Sequence, residues 1–135
     1  MRLVADANVL LSAVLGGRAK LVFGQPGVEE VLTTAFTLGE VQEYAEQLAR
    51  AKRLSLDTVL LAAATLPVTI VERHVYSESL PEAERRIGQR DPEDADVLAL
   101  ALHLKVPVWS NDRDFEGTGV ERYTTAQLLR KLSTE

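Results

Sequence analysis

The side chains of this chain best suited to chemistry are carboxylates: Asp6, Glu40, Asp94 and Asp112. Taken singly, each has a local use. Asp6, or Asn8 in its place, can cap the helix-spaced run that follows, and Glu40 completes a Thr37-Leu38-Gly39-Glu40 capping box. Asp94 stands three residues after Asp91, which reads as an N-cap with Pro92 at the first helical position, and Asp112 can close a turn through its side chain. Taken together, they ask for more. Asp6 follows a first strand, Glu40 opens the helix after a second, and Asp112 follows a strand near the end of the chain. In a parallel sheet all three fall at the carboxyl edge, where α/β proteins collect their chemistry. Asp94 joins them if the start of its helix folds back over that edge. Carboxylates gathered so closely raise one another's pKa unless a counter-charge intervenes. A divalent cation is the simplest one, and an all-oxygen set without cysteine or a nearby histidine pair suits Mg²⁺ or Mn²⁺.

These side chains need a scaffold, and the stretch 91–115 is its centre. It reads as a helix apolar on almost every side (Val97 to Leu102 and Leu104), then a tight turn, then a buried strand over 106–109. Earlier in the chain the pattern predicts a strand at Arg2–Ala5, a helix stopped by Gly16-Gly17 with a further turn over 18–23, and a second strand over 31–34. A helix from Thr37 to about Arg53, another over 55–66 closed by Pro67, and a third strand over 68–71 follow. A polar connection leads to a short helix over 80–88 with Pro81 near its start. Beyond the central unit come an edge-like strand over 120–123 and a terminal helix capped by Thr124 or Thr125. The order implies one domain, residues 1–135, of three-layer α/β/α class with a small parallel sheet.

Composition excludes several classes. There is no cysteine for disulfides or thiolate sites, and His74 and His103 are too far apart to pair on a metal by spacing. No apolar run reaches bilayer length, so the expectation is a cytoplasmic protein without a membrane partner. The net charge of -5 has the wrong sign for simple electrostatic adhesion to nucleic acid, unless bound cations change it locally.

The segments VADANVLLSAVL, TLGEV, DPEDADVLALAL and VPVWSNDRDF, in that order from Arg2 to about Tyr123, resemble the successive motifs of PIN-domain ribonucleases, a family that includes the VapC-like toxins of toxin–antitoxin pairs. WSNDRDF after a buried strand is the most specific of them. The resemblance implies a PIN-like fold in which Asp6, Glu40, Asp94 and Asp112 are the catalytic acids holding Mg²⁺ or Mn²⁺. It makes Asn8, Ser110 and Asp114 supporting residues that orient a ligand or a water. Asp96 is a second acid near the third motif, also a supporting candidate, but it lies about 200° around the helix from Asp94. Asp94 is preferred because it shares a face with Val97, Leu98 and Ala101; Glu43, on the same side of its helix as Glu40, could substitute for it, and Glu40 is preferred because it stands at the helix start, close to the sheet edge. The implied activity is metal-dependent cleavage of RNA phosphodiesters, with Arg18, Lys20, Arg113 and Arg90 as candidate phosphate contacts. The implied partners are an RNA substrate, an inhibitory antitoxin protein and a second copy of the chain. The alternative is a catalytically inactive PIN-fold module that binds RNA or protein. Two other acid-at-strand-end classes fit less well: a haloacid-dehalogenase-like phosphatase wants an acid where Asn8 stands, and a receiver domain wants its aspartate where Glu72 stands.

Overall fold

The first apolar run becomes the middle strand of the sheet. A computed structural model describes residues 1–88 and 94–133, with Ser133 by its backbone alone. In β1 (Arg2–Ala5), Leu3 and Ala5 enter one core while Val4 enters the other, the period of two that a strand imposes. Asp6 ends the strand and caps α1 (Ala7–Val14); Gly16, at φ 81°, makes the turn that leads to α2 (Lys20–Phe23). Then come β2 (Glu30–Thr34), α3 (Ala35–Ala51), α4 (Leu56–Ala64) with Ser55 as its cap, and β3 (Thr69–Val71). Next are α5 (Arg73–Tyr76), a 3-10 turn at Ser77–Ser79, α6 (Leu80–Ile87) and α7 (Asp94–Leu104). β4 (Val108–Trp109), a 3-10 turn at Arg113–Phe115, β5 (Arg122–Tyr123) and α8 (Thr125–Ser133) complete the order.

All four strand pairings are parallel and the strands lie in the order β3-β2-β1-β4-β5. The chain first builds outward from β1 through β2 to β3, then returns to place β4 on the other side of β1. The carboxyl ends of β1 and β4 therefore flank a topological switch point, where the connections leave in opposite directions and open a crevice. Asp6 sits at the end of one strand and Ser110 just past the other.

Helices cover both faces. α1, α2, α3, α4 and α8 pack on one side around Leu10, Val22, Val41 and Leu128; α5, α6 and α7 pack on the other around Tyr76, Ile87, Leu98 and Leu100. Residues 94–101 of α7 are all buried, as its all-round apolar sequence requires. Trp109 ties β4 to the first layer: its Nε1 donates to Thr125 Oγ1 at 3.0 Å and its ring meets Phe23 edge-on at 5.4 Å. No described helix is long and apolar enough to cross a membrane.

Three expectations change. The capping box at Thr37 does not form, because β2 runs straight into α3. Thr34 is the cap, accepting from Thr37 N at 2.9 Å, and Thr37 sits inside the first turn with its hydroxyl 2.7 Å from that of Thr34. Glu40 is thus one turn further along and is not spent on the helix end. Second, the polar connection after β3 holds α5 and a 3-10 turn, ordered by the burial of Tyr76. Third, several bounds move by one or two residues: α4, β3, β4 and β5 are shorter than expected, β4 and β5 being two residues each, while β2 and α3 begin earlier, at Glu30 and Ala35. Asp91 as cap, Pro92 at the first helical position and Arg90 as a phosphate contact lie outside the described residues.

Candidate metal centre

Asp6 is fixed from both strand ends at once. Its Oδ1 accepts from Val9 N at 3.0 Å, which is the α1 cap, and its Oδ2 accepts from the Ser110 hydroxyl beyond β4. Asp6 N also reaches Trp109 O at 3.3 Å, so the two strand ends are stitched together beneath the side chains. Asp6 is 3% exposed. Burial raises its pKa, and the charge of Asp112 raises it further, against the hydrogen bonds from Ser110 and from the Val9 and Asn8 amides. A carboxylate held this way favours a cation beside it.

The loop after β4 is folded by its own side chains. The fully buried Ser110 donates a hydrogen bond from its hydroxyl to Asp6 and accepts from Asp112 N at 2.9 Å; Asp112 Oδ1 in turn accepts from Asp114 N at 2.9 Å. These short-range bonds curl 110–114 back toward the start of α7. One carboxylate oxygen from each of Asp94, Asp112 and Asp114 lies within 4.8 Å of the others. On the other side of Asp94, a cavity of about 150 Å³ is lined by Asp6, Asn8, Thr37, Glu40, Tyr44 and Asp94. Glu40 Oε2 and Asp94 Oδ2 are buried atoms that accept no hydrogen bond from the described residues, although both side chains are engaged otherwise.

The Asp94, Asp112 and Asp114 group has the spacing that a hard divalent ion needs. Oxygens that share one such cation, at ligand distances of roughly 2.0–2.6 Å, lie no more than about 5 Å apart. The donors are carboxylates, with hydroxyls and an amide at the margin, and Ser110 orients Asp6 as an outer partner does. Asp94 belongs to both the cavity and the three-acid group and is the residue the two have in common.

A PIN domain family model matches residues 4–133. The chain belongs to the PIN domain family. Its fold is similar to that of PAE2754 from Pyrobaculum aerophilum, at TM-score 0.73 and 17% identity over 100% of this chain and 91% of that one. A toxin–antitoxin complex from Klebsiella pneumoniae matches at TM-score 0.64 and 19% identity, over 91% of this chain and 97% of that chain. VapC20 of Mycobacterium tuberculosis, a toxin that cleaves the sarcin–ricin loop, matches at TM-score 0.62 and 20% identity, over 87% and 95% of the two chains. No curated protein matches the chain.

Within this PIN fold, the sequence-derived residues divide clearly. Asp6, Glu40 and Asp94 share the cavity, Asp112 and Asp114 join Asp94, Ser110 links Asp6 to Asp112, and Asn8 stands exposed on the rim. Asp114, expected only to support, is as close to the group as Asp112. Asp96 does not join. It accepts from the Tyr76 hydroxyl at 2.6 Å and from Arg73 at 3.1 Å on the opposite side of α7, where it holds α5 against the helix. Burial and this carboxylate push the Tyr76 hydroxyl above the ordinary phenol range. Glu43 is exposed and does not line the cavity. Arg113 is exposed between Asp112 and Asp114, Arg18 lines a separate cavity beside Asn111, and Lys20 faces a groove with Phe23, Thr65 and Pro67, which includes none of the acids. Sequence reasoning missed Thr37 and Tyr44. Their spacing of three before and four after Glu40 on one helix was the available signal.

Proposed function

We propose that this PIN domain is a metal-dependent endoribonuclease. The observation that carries the proposal is the convergence of Asp6, Glu40, Asp94, Asp112 and Asp114 on the switch point between β1 and β4. Asp6, Asp94 and Asp112 would hold Mg²⁺ or Mn²⁺, with Glu40 and Asp114 completing the set. When bound there, such an ion would supply a lowered pKa for an attacking water and offset charge on the phosphodiester. The protein's own contribution is placement: Ser110 and the α1 amide at Val9 keep Asp6 oriented, and the curl of 110–114 keeps Asp112 and Asp114 at the mouth. Exposed Arg113, between Asp112 and Asp114, and Arg18, in the separate cavity beside Asn111, form no ion pair among the described residues and would be contacts for RNA.

The test is cleavage of single-stranded RNA in Mg²⁺ or Mn²⁺, with chelator and the Asp112→Asn protein alongside. Cleavage that needs the metal and vanishes in the variant is the expected result; metal binding without cleavage would favour the inactive RNA- or protein-binding alternative. Similar folds occur in a toxin–antitoxin complex from Klebsiella pneumoniae and, at TM-score 0.62 and 12% identity, in VapBC2 from Rickettsia felis bound to a DNA fragment from its promoter; the former supports an antitoxin-type partner here. That reading requires a small protein, encoded next to this one, that suppresses the cleavage. A homodimer in solution, measured by light scattering, belongs to the same proposal.

A further inference from the structure

A second cavity opens one residue along the loop from the acids. It measures about 220 Å³ and lies between α1, the turn before α2, the segment after β4 and the start of α8, lined by Ser12, Arg18, Ala19, Asn111, Thr125 and Ala126. We propose that it is a base pocket for guanine in the RNA strand, next to the phosphodiester held at the acidic centre. This rests on the nuclease reading and adds a sequence preference to it.

Position is the first support. Asn111 stands between Ser110, which donates to Asp6, and Asp112 of the acidic group. Consecutive residues of one loop thus line the pocket and the acidic group, and the proposal seats neighbouring nucleotides on them.

Polarity is the second. Asn111 Oδ1 accepts from Thr125 N at 2.9 Å, and only the oxygen of an amide can do so. That bond fixes the orientation of the amide, which leaves Asn111 two Nδ2 hydrogens to donate beside one remaining lone pair on Oδ1. Thr125 Oγ1 already accepts from Trp109 Nε1 at 3.0 Å, so its hydroxyl hydrogen is left to give. Arg18 can only donate, and forms no ion pair or side-chain hydrogen bond among the described residues. A lining dominated by donors selects a base edge made of adjacent acceptors. Guanine presents O6 and N7 together, the pair that arginine reads bidentately; adenine places an amino donor beside N7, cytosine offers an amino group, and uracil offers one carbonyl there. Ala19 and Ala126 keep the walls thin enough for a purine ring.

Pre-organisation is the third. The turn that carries Arg18 is pulled onto α1, with Gly17 N donating to Ser12 O at 2.7 Å. A Cβ at Gly17 would lie 2.4 Å from Ser12 Oγ, so only glycine allows this approach without displacing Ser12. Arg18 is thus presented at the pocket by a backbone already in place, and the proposal gives it a base edge in preference to a phosphate.

The experiment uses short uridine oligomers that differ in one central purine: guanine, inosine or adenine. Wild type should cleave, and Asp112→Asn should bind, the guanine oligomer about tenfold better than the adenine one. Inosine keeps O6 and N7 and should behave as guanine does. Arg18→Ala and Asn111→Ala should each shrink the ratio toward one without altering the thermal shift that Mg²⁺ produces. Equal handling of guanine and adenine, or a preference that survives both variants, overturns the pocket and leaves the nuclease reading standing. If no oligomer is either cleaved or bound, both fall.

Discussion

Replacing Asp112 by asparagine should make the metal-free protein more stable and take away its response to magnesium. The substitution is close to isosteric: asparagine keeps the Oδ1 that accepts from Asp114 N at 2.9 Å, so the curl of the loop is retained while one negative charge goes. At the 4.8 Å limit of the Asp94, Asp112 and Asp114 group, each pair of full charges repels by roughly 3.5 kcal/mol at an effective dielectric near 20, and by under about 1 kcal/mol in bulk water. Asp112 and Asp114 are half-exposed at the mouth, so the lower part of that range applies, and Asp112 faces two partners in the group as well as Asp6. Relief of about 1–2 kcal/mol is expected, and in a domain of this size each kcal/mol moves the Tm by about 3–4 °C. In EDTA the variant should therefore melt roughly 3–8 °C above wild type. An ion at ten times its dissociation constant adds about 1.4 kcal/mol to a protein that binds it, so Mg²⁺ should lift wild type by about 5 °C. The variant, short of one charged ligand, should respond far less, and the gap between the two should close or reverse.

The assay is thermal unfolding followed by circular dichroism, in EDTA and in millimolar Mg²⁺, with KCl holding ionic strength constant so that screening contributes equally. A variant melting at or below wild type in EDTA would show that these carboxylates do not crowd one another. Equal magnesium shifts in the two proteins would show that Asp112 holds no ion. Either result refutes the reasoning.

Other positions give independent checks. Tyr76→Phe removes the hydroxyl that donates to the buried Asp96 carboxylate at 2.6 Å, which should cost about 2–3 kcal/mol in chemical denaturation, and a loss under about half a kcal/mol would contradict the contact. Trp109→Phe leaves Thr125 without its Nε1 partner and a gap beside Phe23, for an expected loss of about 2–4 kcal/mol read from the denaturation midpoint. Lys105 follows α7 at φ 58°, in the left-handed region, while Val106 N closes onto Ala101 O at 3.1 Å. Lys105→Gly should accordingly gain about 0.5–1 kcal/mol, seen as a Tm rise of roughly 2–4 °C.

Much of the architecture was legible because the signals are local. The alternation in Arg2–Ala5, the apolar girth of α7 and the Ser55 cap are written within a few residues of where they act, and the alternating order of elements implies a parallel sheet. From that order alone Asp6 and Asp112 fall at strand ends, and helical geometry alone separates the faces of Asp94 and Asp96. What the sequence left open depends on groups distant along the chain. Whether Thr34 or Thr37 caps α3 turned on how directly β2 feeds the helix, and only that outcome released Glu40 for the cavity. Asp96 looked like a second candidate acid until α5 folded beneath α7 and gave it Tyr76 and Arg73. Asp114 became a full member of the acidic group because the loop after β4 curls back over the start of α7. Identity and spacing determine which carboxylates exist and which way each tends to face; the distance between two of them across separate strands is set by sheet order and packing, and coordination depends on that distance.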